Sequence, residues 1–86
     1  MQVSFTPNFI RQLKKLEPSL KEEAFDKIEL FQKNSREKSL KVHKLNGKLK
    51  DYFSFSVNYK TRIVFKYISK TEIVLLAIGN HDVYKI

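Results

Sequence analysis

The sequence of 86 residues has no cysteine and no tryptophan, and it contains two glycines and two prolines. Without cysteine, neither a disulfide nor a thiolate zinc site can form. Gly47 and Gly79 stand far apart, so the chain lacks the glycine-rich loop that cradles the phosphates of nucleotide cofactors. No apolar run approaches the ~20 residues of a membrane span, and residues 1–12 lack the pattern of a signal peptide. We therefore expect one cytoplasmic domain, residues 1–86, that uses no cofactor and does not enter a membrane.

Acidic residues are also scarce, because nine Asp and Glu stand against seventeen Lys and Arg, which gives a net charge of +8 at pH 7. The imbalance is greatest over residues 33–50, where seven lysines or arginines and His43 accompany one acid, Glu37. A field of this sign attracts polyanions such as nucleic acid or an acidic protein. A lysine-rich surface without such a partner is the alternative.

The first half of the chain predicts one strand and two helices. Residues 1–5 alternate between polar and apolar, which is typical of a strand. Thr6 followed by Pro7 predicts an N-cap and a first helical turn. Ser19 and Glu22 fit the S-x-x-E capping box of a second helix, whose apolar residues recur at helical spacing.

The second half predicts three strands after a mostly extended connection at residues 35–50. Residues 51–59 and 61–68 alternate, whereas residues 72–79 are almost continuously apolar, as in an interior strand. The short connections between them favour antiparallel neighbours. We therefore expect a small single α+β domain of β-α-α-β-β-β order, with an antiparallel sheet and two N-terminal helices packed on one face.

Candidate functional side chains are expected on the sheet face that the helices leave open. Arg62 and Lys66 occupy alternate positions of a strand and so face the same side. The last strand ends at a glycine, and His81 and Tyr84 follow it closely. His43 lies in the basic connection that enters the same sheet, so one cationic surface can collect all of these residues.

A metal site or a serine nucleophile has little support. His43, His81 and Asp82 could supply three metal ligands, but nothing in the sequence completes or orients such a set. Ser54 and Ser56 alternate with phenylalanines, which predicts that they lie on the solvent face of a strand, and no nucleophile elbow surrounds them. We therefore expect neither a metal site nor serine-based catalysis.

Cleavage of RNA without a metal suits the remaining residues. The substrate supplies its own 2′-hydroxyl nucleophile, so the protein must remove a proton, stabilise the phosphorane charge and protonate the departing oxygen. Arg62 matches phosphate oxygens, His81 suits proton transfer near pH 7, and Tyr84 can stack on a base. Structural roles are open as well: Arg62 paired with a surface carboxylate, His81 capping a strand, or Tyr84 filling the end of the sheet. The residues alone do not choose between cutting a nucleic acid and binding one.

Three motifs resemble the RelE/ParE superfamily of bacterial toxin–antitoxin toxins: H-K-L-x-G at 43–47, Y-x-x-R-I-V-F-K-Y at 59–67 and I-G-x-H-D-x-Y at 78–84. The likeness covers nearly the whole chain, including the predicted β-α-α-β-β-β order. It implies a single RelE-like toxin domain that cleaves messenger RNA, typically in the A site of a translating ribosome. It also implies a cognate antitoxin that wraps and neutralises the toxin.

The resemblance also implies roles for individual residues. Arg62 corresponds to an arginine in the third strand, His81 to a basic or imidazole residue after the glycine, and Tyr84 to an aromatic ring that stacks on the substrate. His43 corresponds to a histidine that some members carry before the L-x-G turn, and we expect it to be the general base, with His81 as the general acid. Several members carry lysines or histidines on the second strand, whereas residues 53–56 read FSFS here.

The expected function is therefore that of an mRNA interferase, a metal-independent endoribonuclease that blocks translation. The lysines expected to hold the RNA or ribosomal RNA backbone are Lys41, Lys44, Lys48, Lys50 and Lys66. Two alternatives remain on the same fold: a ParE-like toxin that inhibits DNA gyrase by binding it, and a non-catalytic nucleic-acid-binding protein.

Overall fold

The computed structural model describes residues 1–47, 51–80 and 83–84. Within these residues the chain forms two α-helices and five strands in this order: β1 (Gln2–Phe5), α1 (Pro7–Lys14), α2 (Pro18–Lys33), β2 (His43–Lys44), β3 (Phe53–Ser56), β4 (Arg62–Ser69) and β5 (Glu72–Gly79). The strands form one sheet in the order β1-β5-β4-β3-β2. The predicted α+β class and element order are confirmed, with β2 as an additional short strand. In the described part of the chain, neither helix has the length and apolar character that crossing a membrane requires.

The direction of β1 differs from the prediction of an antiparallel sheet. β2, β3, β4 and β5 are antiparallel neighbours, but β1 runs parallel to β5. The prediction rested on short connections, which force antiparallel pairing. That reasoning holds for the neighbours β3, β4 and β5, whereas both helices and three strands separate β1 from β5 along the chain. β5 is nevertheless an interior strand, as its apolar run predicted.

The stretch 35–50, predicted to be mostly extended, contains a short 3₁₀ helix at Lys38–Leu40. The Glu37 carboxylate caps this helix by accepting a hydrogen bond from Ser39 N at 3.0 Å. Lys41 follows in the left-handed backbone conformation, with φ of 50°, and β2 then pairs with β3. A three-residue helix and a two-residue strand are too short to produce a detectable apolar period.

Of the two predicted helix N-caps, one is confirmed and the other is wrong. The Thr6 side chain caps α1, as predicted. α2 begins at Pro18, and its N-cap is Glu17, whose side chain makes no capping hydrogen bond, so the capping box predicted at Ser19 and Glu22 is wrong. Proline is well suited to a first helical position, because its φ is already helical and it has no N–H to satisfy.

The main core lies between the helices and one face of the sheet. Ala24, Ile28 and Phe31 of α2 are buried there, as their helical spacing predicted. The ring of Phe31 lies 4.9 Å from that of Phe55 and 5.0 Å from that of Phe65, measured between centroids. These aromatic contacts fix the sheet against α2, and they leave the opposite face for other contacts.

A bulge in β5 determines which residues reach that opposite face. Val64 pairs with Ala77 while Phe65 pairs with Leu75, so Leu76 is an extra residue in the ladder. Two side chains at the start of α1 donate hydrogen bonds to the Leu76 carbonyl, at 3.2 and 3.0 Å, and support the bulge. Beyond the bulge, Ala77 points away from the helices and joins a separate cluster.

Candidate active site

The sheet face away from the helices carries a second, smaller group of buried residues, namely Leu45, Val64, Ala77 and Val83. Tyr84 packs against this group. A hydrogen bond of 3.0 Å from Val83 N to Asn80 O accompanies the return of the chain over the sheet after β5. Val83 and Tyr84 therefore cover part of the face that was predicted to be open.

This cover changes the environment of two serines on β3. Ser54 is 0% exposed and Ser56 is 6% exposed, so the prediction that they lie on a solvent face is wrong. Strand alternation placed them on the correct side of the sheet, but it could not show that distant residues lie over that side. A buried hydroxyl requires hydrogen-bond partners.

Ser54 finds its partners in two of the predicted site residues. Its Oγ lies 3.5 Å from His43 Nε2 and 3.3 Å from the Tyr84 hydroxyl. The pairing of β2 with β3 places His43 directly opposite Ser54, and the C-terminal segment brings in Tyr84. Ser54 thus belongs to the candidate site, although the sequence did not predict it. The sequence does contain one indication: Ser54 lies between two core phenylalanines, which places it on the side of the strand away from the core.

The imidazole of His43 is held in a defined orientation. Its Nδ1 lies 3.0 Å from the backbone carbonyl oxygen of Lys41. Because a carbonyl only accepts hydrogen bonds, Nδ1 carries the proton, and in the neutral ring Nε2 keeps its lone pair. Nε2 is the atom that faces Ser54, so the ring presents a proton acceptor toward the sheet face away from the helices.

Arg62 starts β4 on the same face. It pairs with Ser56 across the strands, and Ser54 is two residues earlier on β3, a step of about 7 Å. The guanidinium Nη1 donates to the backbone carbonyl oxygen of Asn58 and, at 3.3 Å, to that of Thr61. These carbonyls, in the turn between β3 and β4, anchor the Arg62 side chain.

The contacts of Arg62 can be compared with the structural role suggested above, an ion pair with a surface carboxylate. Among the described residues, its hydrogen bonds go to backbone carbonyls, and no carboxylate forms an ion pair with it. Since a guanidinium has five N–H donors, the donors on Nη2 and Nε can bind an anion while Nη1 stays anchored. A guanidinium held in this way suits the bidentate binding of phosphate oxygens.

Of the five lysines predicted to contact RNA, the structure describes Lys41, Lys44 and Lys66, and these three lie on different parts of the surface. Lys66 is exposed on the open face. Lys44 follows His43 in β2 and pairs with Phe53, which packs against the main core, so strand alternation directs Lys44 to the helix side. Lys41 is exposed and contacts the site through its carbonyl group. Lys66 therefore lies on the expected cationic surface together with Arg62, whereas Lys44 does not.

His81, Lys48 and Lys50 lie outside the described residues, as does Asp82. The roles predicted for them stay predictions. Within residues 1–47, 51–80 and 83–84, no group of three or more His, Asp or Glu side chains is arranged to hold a metal ion.

The described part of the site combines a proton acceptor and an anchored cation on one sheet face. His43 Nε2 can take a proton from a hydroxyl, and the Arg62 guanidinium can stabilise the negative charge that then develops on neighbouring oxygens. Tyr84 adds an aromatic ring whose hydroxyl is held by Ser54. These groups suit an attack by a hydroxyl on a phosphate.

No protein-family model matches the sequence, and no curated protein matches it either. Solved structures do match. The YoeB/ParE toxin from Agrobacterium tumefaciens is 16% identical, with a TM-score of 0.76, over 94% of this chain and 99% of that chain. YafQ from E. coli strain BL21(DE3) is 15% identical, with a TM-score of 0.77, over 93% and 92%. A chain of the YoeB-YefM complex from Staphylococcus aureus is 19% identical, with a TM-score of 0.74, over 94% and 97%.

The structural neighbours named here are thus a YoeB/ParE toxin, YafQ and a chain of a YoeB-YefM complex. The resemblance noted in the sequence is confirmed at the level of the fold. With identities between 15% and 19%, the likeness shows a shared fold and leaves the activity to be argued from the site.

Proposed function

We propose that this chain, which has the fold of YoeB and YafQ toxins, is the toxin of a type II toxin–antitoxin system and cleaves messenger RNA without a metal. The shared fold over more than nine-tenths of the chain supports the first part of the proposal. One observation carries the second part: His43, with its Nε2 lone pair turned inward, shares a sheet face with the anchored guanidinium of Arg62.

In the proposed reaction, the exposed His43 exchanges its long 3.5 Å contact with Ser54 for a ribose 2′-hydroxyl. Nε2 takes the proton of that hydroxyl, whose oxygen attacks the adjacent phosphorus. The N–H groups of Arg62 bind the phosphoryl oxygens as negative charge accumulates on them. His81 gives a proton to the 5′ oxygen as its bond to phosphorus breaks. The products are a 2′,3′-cyclic phosphate and a 5′-hydroxyl, so atoms and protons balance.

Tyr84 and Ser54 position the substrate and the base. The Tyr84 hydroxyl is held at Ser54, and the half-buried ring retains surface on which a nucleobase can stack. Ser54 contacts His43 as well, so it aligns the proton acceptor with the ring that receives the base. In this proposal Ser54 is a positioning residue and does not itself react.

The proposed partners are messenger RNA on the ribosome, in the cytoplasm, and a cognate antitoxin. The YoeB-YefM complex from Staphylococcus aureus supports a partner protein of that kind. A net charge of +8 favours an acidic antitoxin. By lying over the open sheet face, such a protein would mask Arg62 or displace the segment that carries Tyr84.

The experiment that tests this function uses ribosomes and a message in excess EDTA, followed by mapping of the RNA ends. We expect cuts that carry a 2′,3′-cyclic phosphate. Cleavage should fall by about 10²–10⁴-fold in His43→Ala and in His81→Ala, as is typical when a general base or acid is removed. Arg62→Ala should also abolish most cleavage, whereas Arg11→Ala, which removes an exposed arginine of α1, should leave it unchanged.

Two other outcomes would contradict the proposal. Inhibition of DNA gyrase without any RNA cleavage would identify a ParE-like toxin. Tight RNA binding without scission, unaffected by His81→Ala, would identify a non-catalytic nucleic-acid-binding protein.

A further inference from the structure

A basic groove lies at the end of the sheet where β4 turns into β5, at the opposite end of β4 from Arg62. It has a volume of about 530 Å³ and extends from the β4–β5 turn to the 3₁₀ helix and the residue before β2. Its cationic lining residues are Arg36, Lys38, Lys41 and Lys70. Glu37 also lines it, but the carboxylate of Glu37 accepts a hydrogen bond from Ser39 N at 3.0 Å and is thereby directed to the 3₁₀ helix. The groove is therefore a site for negative charge.

Tyr67 adds an aromatic side chain to this groove. Its ring stands edge-on to Phe53, at 5.0 Å and 88°, and to Phe65, at 5.5 Å and 73°. These contacts fix the orientation of the ring, while 37% of the residue stays exposed. A fixed, exposed ring beside several cations is the combination on which single-stranded nucleic acids stack their bases and place their phosphates.

The groove and the candidate active site lie on opposite faces of the sheet, because Tyr67 packs against Phe53 and Phe65 on the helix side. Lys41, beside the edge strand β2, contacts both. This residue lines the groove, and its carbonyl oxygen binds His43 Nδ1 at 3.0 Å. Lys41 adopts the left-handed conformation, which is uncommon for a residue other than glycine. A strand that passes His43 reaches the cations of the groove by going round the β2 edge of the sheet, beside Lys41.

We propose that this groove binds a single strand of RNA that extends beyond the cleaved bond, with its phosphates on the cations and one base on Tyr67. The proposal adds a substrate-binding surface to the proposed ribonuclease and so rests on that function. RNA fits the groove better than an acidic peptide does, because an exposed aromatic ring lies among the cations, and Lys41 joins the groove to the proposed general base round the sheet edge.

The test compares two double variants that remove the same charge. Arg36→Ala/Lys70→Ala removes cations of the groove, and Arg11→Ala/Lys14→Ala removes exposed cations of α1. Binding of a labelled single-stranded 2′-O-methyl RNA is followed by fluorescence anisotropy over a range of salt concentrations. This RNA has no 2′-hydroxyl to attack, so binding is measured apart from cleavage, and the His43→Ala cleavage assay tests the catalytic proposal separately.

For the groove variant we expect the slope of log affinity against log salt to fall by about 1.4, since each phosphate contact on a single strand contributes about 0.7. If the two proteins bind equally at 1 M salt, this difference in slope makes the groove variant bind about 25-fold more weakly than the parent protein at 0.1 M salt. The α1 variant should keep the slope of the parent protein. Tyr67→Leu should weaken binding by roughly tenfold without changing the slope, because stacking is not a salt-dependent contact.

Equal slopes for the two double variants would overturn the proposal, provided that both melt at the temperature of the parent protein. The groove would belong to an acidic protein partner instead if Arg36→Ala/Lys70→Ala lost affinity for a poly-glutamate peptide and kept its affinity for the RNA.

Discussion

Replacing Ser54 by alanine removes one oxygen atom from the point where His43 and Tyr84 meet. The consequence for stability should be modest. The two distances, 3.5 and 3.3 Å, are longer than those of typical hydrogen bonds, so both contacts are weak. His43 is exposed and Tyr84 is half-buried, so water can replace the lost hydroxyl as their partner. A net loss of about 1 kcal/mol in the free energy of unfolding follows, which lowers the Tm by about 4–8 °C in a domain of this size.

The consequence for cleavage should be larger than stability alone explains. Without the hydroxyl, the His43 ring and the Tyr84 ring lose the atom that fixes their positions relative to each other. Misplacement of a catalytic group acts on the chemical step, so kcat should fall roughly tenfold, equivalent to about 1.4 kcal/mol of transition-state stabilisation. KM should change little, because Ser54 is buried and does not touch the RNA.

Single-turnover cleavage and thermal melting together check this prediction, with Ser56→Ala as the matched control. Ser56 is a buried hydroxyl of the same strand and the same face, but His43 pairs with Ser54. Ser56→Ala should lower the Tm by a similar amount and keep most of the cleavage rate. If Ser54→Ala cleaved at the parent rate, or if both variants lost cleavage equally, Ser54 would not be positioning the site.

Three further predictions concern the site and the fold. Arg62→Lys keeps the charge but loses the planar fork that matches phosphate oxygens, so cleavage should fall at least tenfold; parental activity would show that charge alone suffices. Thr6→Ala removes the cap of α1 and its contacts with the Leu75 and Leu76 carbonyls, so urea unfolding should show a loss of about 1–2 kcal/mol; Thr6→Ser should restore most of it. Phe31→Ala removes a fully buried ring and should cost about 3–5 kcal/mol in the same assay; a loss under 1 kcal/mol would contradict the assigned core.

The features that could be predicted from the sequence are those with a local cause. Thr6 and Pro7 are adjacent, and they set the start of α1 without help from elsewhere in the chain. The alternation of residues 53–56 and 62–66 correctly placed Arg62 on the face away from the helices, because the strand period is two regardless of the partner. The length and spacing of the elements then left few possible folds.

The features that could not be predicted depend on contacts between distant parts of the chain. Ser54 is buried because Tyr84, thirty residues later, lies over it, and no property of residues 53–56 reports that cover. The tautomer of His43 depends on the carbonyl of Lys41, whose left-handed backbone no local signal indicates. The Arg62 side chain could pair with a carboxylate or with a carbonyl, and only the position of the turn at Asn58 decided this.

The parallel pairing of β1 with β5 affects how a newly synthesised chain can fold. The Thr6 side chain bonds a carbonyl oxygen seventy positions later, and Gln12 of α1 accepts a hydrogen bond from Ile78 N at 2.9 Å. While β5 is still unmade, β1 has no ladder partner, and α1 lacks the strand on which it rests. Contacts of such high sequence separation slow folding. The nascent chain must therefore wait for β5 before the sheet can close, and a product truncated before β5 would leave its N-terminal segments exposed to proteases.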